Sequence, residues 1–155
     1  MVTPPFDDRT VQRWFAVEFN NQAWELVEKP QRSREETEEM LHLAHASCVH
    51  WKAVGTIVNQ LRGQCLLATA YVKAGLPEAS IRHAERCLTL CEEAGELATP
   101  FDRASALGAA ANAYACGGDL VRARDHYHQA MEAAEELSDA EEHALIDQLY
   151  PSPNG

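Results

Sequence analysis

Leu67-Ala68-Thr69-Ala70-Tyr71-Val72-Lys73-Ala74-Gly75 returns 43 residues later as Ala110-Ala111-Asn112-Ala113-Tyr114-Ala115-Cys116-Gly117-Gly118. Small residues, a tyrosine and a glycine keep their places. The register holds beyond the glycine: His83 falls on His126, Cys87 on Ala130, Leu88 on Met131, and Glu92-Glu93 on Glu135-Glu136. Self-similarity at a period of roughly 20–50 residues marks a repeat architecture, in which each unit buries its apolar face against the next.

Helix punctuation surrounds both copies. Gly75 ends one helix, and Pro77 suits the first turn of the next, which runs to about Ala94. Thr99, Pro100 and Asp102 supply a cap, a first position and an acidic first turn. Gly117-Gly118 closes that helix, and Asp119 caps another that ends near Leu137. Upstream, Thr56 caps a helix to Ala74, and Ser33 with Glu36 forms a capping box for a helix to about Val54. Asp8 is expected to cap a first helix through Glu28, before Pro30. Ser138 with Glu141 is expected to open a short last one, before Pro151. No segment alternates with a period of two, and alanine is abundant. The reading is an all-α single domain over 1–155 without sheet. It comprises helical pairs at 8–54, 56–95 and 99–138, a capping helix at 139–150 and a loose tail at 151–155.

The quoted residues resemble the tetratricopeptide repeat. Leu67-Ala68-x-x-Tyr71, Gly75, Ser80, Ala84 and Cys87 follow that family's pattern, and Ala110-Ala111-x-x-Tyr114, Gly118, Ala123, Tyr127 and Ala130 follow it more closely. Small side chains let helix axes approach, and the tyrosine fills the wedge between units. The likeness covers about 64–137. The spacing exceeds the family's usual period of about 34, and the family's early Trp and closing Pro are missing from both units. The segment 8–54 is a degenerate first unit: Thr37, Leu41, Ala44 and Cys48 keep the second-helix spacing, but Glu28 replaces the tyrosine. It holds Trp14, Trp24 and Trp51, which are expected to seal that end. The resemblance implies a right-handed solenoid of three antiparallel helical hairpins whose first helices line a concave groove. Carried over, the groove positions are Arg62, Cys65, Thr69 and Lys73, then Ser105, Gly108, Asn112 and Cys116. Arg62, Lys73 and Asn112 are the polar anchors expected to hold a carboxylate or a peptide backbone, with Thr69 beside them.

Composition narrows the alternatives. The net charge is −11, with 24 acidic and 13 basic side chains, a balance that repels nucleic-acid phosphates and anionic lipids. No apolar run approaches the roughly 18 residues of a membrane span, and Met1–Asp8 lacks the basic-then-apolar start of an export signal, so a cytoplasmic location is expected. Five cysteines without a Cys-x-x-Cys pair argue against a disulfide framework.

A second constellation comprises His42, His45, His50, Trp51 and Asn59, with Cys48 between them. Histidines three apart on a helix share a face and are of a type to ligate zinc or iron. Neither His-Glu-x-x-His nor a repeated Glu-x-x-His is present, and Cys48 falls at a packing position, so no metal is assigned. His83, Cys87 and Cys91 form a stripe at spacing four, read as packing. No Gly-x-Ser-x-Gly motif or phosphate-cradling glycine loop occurs. The sequence is thus read as a non-catalytic adaptor that binds a protein or peptide in its groove and needs no cofactor. The alternatives are a small metal- or ligand-binding protein, enzymatic in one version, centred on His42, His45, His50 and Trp51, and a C2 homodimer formed through Trp14 or the last helix.

Overall fold

A computed structural model describes residues 2–3 and 5–154, so Gly155, at the end of the expected tail, and Met1 lie outside it. Among the described residues the chain is all-α. It contains α1 (Asp8–Glu28), α2 (Arg34–Val54), α3 (Ile57–Lys73), α4 (Pro77–Ala94), α5 (Pro100–Cys116), α6 (Leu120–Ala134) and α7 (Ala140–Leu149), with one 3-10 turn at Gly95–Leu97.

The termini obey local chemistry, with three shifts from expectation. Ser33 and Glu36 form the reciprocal capping box, as do Thr99 and Asp102. The first helix is capped by Asp7 rather than Asp8, because the Asp7 carboxylate reaches the Thr10 amide. The last is capped by Asp139 rather than Ser138, with Asp139 Oδ1 accepting from the Glu141 amide. The sixth helix stops at Ala134, short of Leu137. Arg32 adds a feature that the residue pattern concealed: its guanidinium donates to the carbonyls of Leu26, Val27 and Lys29, closing the end of α1.

The internal register is reproduced by the backbone. Gly75 and Gly118 both adopt left-handed φ, at 71° and 81°. The amide of Leu76 donates to Tyr71 O and that of Asp119 to Tyr114 O, each at 3.0 Å. These are the same helix-ending turn, made twice. Tyr71 lies between the outer helix of the preceding pair and that of its own: His45 of α2 bonds its hydroxyl at 2.8 Å, and His83 of α4 stacks on its ring at 5.4 Å. Tyr114 does likewise, donating to Glu85 of α4 at 2.8 Å and lying 5.1 Å from the His126 ring of α6.

Helices pair as α1 with α2, α3 with α4, and α5 with α6, and each second helix also packs on the first helix of the following pair. Of the first helices, α3 touches both α1 and α5. Alanine makes the close approach feasible: Ala68, Ala84, Ala104, Ala106, Ala110 and Ala113 are all buried in the α3–α6 core. Two buried hydroxyls pin paired helices together, Ser47 donating to Ala16 O and Ser80 to Ala68 O, both at 2.8 Å. The tryptophans do not act as a common seal. Trp51 is buried and Trp24 half-buried, whereas Trp14 is 59% exposed, its ring edge-on to that of Phe15.

The last helix, α7, packs on α5, and Ile146 and Tyr150 are buried in the same core as residues of α3 and α5.

Candidate functional site

The residues expected to line the groove share one face, and α7 explains what much of that face does. Gly108 provides the notch: a Cβ there would lie 2.4 Å from the Tyr150 ring, so only glycine lets the ring settle on the α5 backbone. Asn112 Nδ2 donates to Leu149 O at 3.0 Å and fixes the end of α7. The Tyr150 hydroxyl lies 3.3 Å from Cys65 Sγ. Burial pushes the Tyr150 phenol well above its usual range, so it keeps its proton. Thr69 turns its hydroxyl back to Cys65 O at 2.9 Å and presents no polar group to a partner. Of the expected polar anchors, Asn112 and Thr69 are therefore engaged within the chain, while Lys73 stays exposed on α3.

Arg62 is held by a residue the sequence reading had assigned only to a helix start. Its Nε and Nη2 donate to the two oxygens of Asp102 at 2.7 and 3.1 Å, clamping α3 to α5. The Asp102 side chain is 2% exposed and that of Arg62 52%. Burial pushes the Asp102 carboxyl up, but hydrogen bonds from Arg62 and Thr99, with the guanidinium charge, outweigh it and hold the group below the usual carboxylate range. Asp102 thus caps α5 and neutralises Arg62 at once.

Beside this clamp, between α1, α3, α5 and α7, is a cleft of about 300 Å³. Its walls are largely apolar: Trp24, Leu61, Phe101, Leu145, Leu149 and Tyr150. Arg62, Asp102 and Ser105 stand within it, with Asn20 and Glu28 from α1. Ser105 is 7% exposed, and its hydroxyl has no hydrogen-bond partner. A buried, unpaired hydroxyl costs on the order of 1–3 kcal/mol, so it calls for an explanation. Of these residues Arg62 and Ser105 are expected groove positions, and Trp24 is expected only as an end seal. Phe101 carries no signal of its own, since a half-buried aromatic on an amphipathic helix is ordinary packing.

The histidine constellation is not drawn together. His42 is exposed, His45 faces Tyr71 and His83, and His50 bonds Gln12 and stacks on Phe15 of α1 at 5.5 Å. Trp51 lies under the Arg13 guanidinium, 5.5 Å from the ring centroid, and Asn59 Oδ1 accepts from the Thr56 amide at 3.0 Å as a cap. Among the described residues no group of three His, Cys, Asp or Glu is placed to hold a metal ion. Burial, with the Coulombic effect of neighbouring His42 and Arg82, lowers the His45 pKa; burial, with His45 and Arg82, lowers that of His83 to about 4. Burial pushes the Cys48 thiol up to about 12, so it is not an activated nucleophile. No described helix is long and apolar enough to cross a membrane.

Comparison with protein-family profiles, curated proteins and solved structures gives no match.

Proposed function

We propose that the chain is a non-catalytic binding module, a solenoid of three helical hairpins of the tetratricopeptide type, whose inner face receives a segment of a partner protein. The observation that carries this reading is α7. The inner face already takes one helix, seated by a glycine notch at Gly108 and an amide grip from Asn112. In this reading the partner segment runs beside α7 and reaches the exposed end of α3 at Lys73. Lys73 is the cation open to it, against a background net charge of −11. An acidic or carboxylate-bearing segment is the ligand that such a lone cation favours.

The proposal is tested by selecting a random dodecapeptide library on the intact protein, with Lys73→Glu as the counter-screen. Lys73 makes no ion pair among the described residues, so its reversal should leave the fold intact. Enrichment of an acidic pattern on the parent chain and its loss on the variant is the expected result. No enrichment, or equal enrichment on both, removes the reading.

A further inference from the structure

We propose that the cleft between α1, α3, α5 and α7 is a small-molecule site for an uncharged aromatic ligand carrying one hydrogen-bonding group, received by the Ser105 hydroxyl. The site goes beyond the partner-segment reading and does not depend on it. Four observations meet there. The volume, about 300 Å³, has room for a two- or three-ring molecule and stands at the small end of ligand cavities. Three of the walls are aromatic side chains, from Trp24, Phe101 and Tyr150, which favour a ring as their neighbour. Ser105 brings a hydroxyl that is buried and unpartnered, able to donate or to accept.

The fourth observation is charge. The Arg62 guanidinium and the Asp102 carboxylate satisfy each other, and Asp102 Oδ2 also accepts from the amide and hydroxyl of Thr99. An anionic ligand would face Asp102 and Glu28, with the Arg62 charge already balanced by Asp102 through Nε and Nη2. A cation would find the oxygens of Asp102 taken and only the exposed, solvated Glu28 left to pair with. A neutral molecule meets neither cost.

Fluorescence titration with N-phenyl-1-naphthylamine, an uncharged two-ring-system amine with a single N–H, tests this directly. The expected result is saturable enhancement at one site per chain. Ser105→Ala weakens it about two- to tenfold, the worth of one hydrogen bond, without lowering the melting temperature. Ser105→Leu fills the cleft and abolishes the signal. The sulfonated analogue 1-anilinonaphthalene-8-sulfonate binds more weakly than the neutral amine. The proposal is overturned by a signal that does not saturate, by Ser105→Ala binding as tightly as the parent, or by the sulfonate binding as well as the amine. Peptide selection on the Lys73 face is read separately, so failure of either result leaves the other standing.

Discussion

At Gly108 the Tyr150 ring occupies the space a methyl group would need, with three ring and Cβ atoms within 2.8 Å of the ideal Cβ position. Gly108→Ala must therefore push Tyr150 off α5, and overpacking of this kind costs about 1–3 kcal/mol. Thermal or chemical denaturation should register the loss, and an unchanged midpoint would show that the ring yields freely. Ser105, one turn earlier on the same helix, should behave in the opposite way. Its hydroxyl is buried without a partner, and alanine is the better helix former, so Ser105→Ala should raise stability by up to about 1 kcal/mol. A destabilised Ser105→Ala would mean that the hydroxyl has a partner after all. Arg62 clamps α3 to α5 through Asp102. Arg62→Met leaves the Asp102 carboxylate buried with only its Thr99 bonds, at a cost of roughly 2 kcal/mol. Reversal to glutamate would be harsher, so Arg62 is unsuitable for probing binding alone.

Among the elements, α7 is the one whose attachment rests on few residues. Ile146 and Tyr150 are buried, Asn112 holds the Leu149 carbonyl, and Arg124 Nε donates to Asn154 Oδ1 at 2.7 Å just beyond the helix. Tyr150→Ala removes the anchor and its contact with the Cys65 thiol, a loss of about 3 kcal/mol or more. Hydrogen exchange should then rise in Ala140–Leu149 well before it rises in α3 or α5, since a helix held at one seat opens locally. Uniform loss of protection across all helices would instead make α7 an inseparable part of one cooperative core.

Over the whole molecule, pH acts on His45, exposed on α2, and the half-buried His83 of α4, which meet at the Tyr71 ring. His45 and His83 both have pKa values held below the usual 6.5, that of His83 at about 4, so the unfolded chain binds protons that the folded chain refuses. Their contribution is complete above pH 6.5 and declines as the pH falls towards about 4. Discounted for the partial exposure of His83, the loss is about 1–2 kcal/mol. Urea denaturation from pH 7 to 4.5 should show this slope in the parent chain and a flatter one in His83→Gln. Equal slopes would remove His83 from the account. Asp102 acts only at lower pH, because its carboxyl is held below the ordinary carboxylate range.

The helices and their turns were determined by the chain itself. Left-handed glycines at 75 and 118, Pro77 and Pro100 in first turns, and Ser33 and Thr99 as caps act within a few residues of one another, so their chemistry is complete in one dimension. The 43-residue register told which residues would fall in equivalent places, and Tyr71 and Tyr114 do sit alike. Much of the face where α3, α5 and α7 meet was legible for the same reason: Arg62, Cys65, Ser105, Gly108 and Asn112 lie there. What occupies that face was not. Nothing near Gly108 announces Tyr150, 42 positions away, and nothing near Asp102 announces Arg62. Only the return of α7 onto α5 brings Leu145, Leu149 and Tyr150 to the wall of the cleft that Ser105 lines. Local sequence specifies dihedrals and caps, whereas burial is a property of what the rest of the chain places on top.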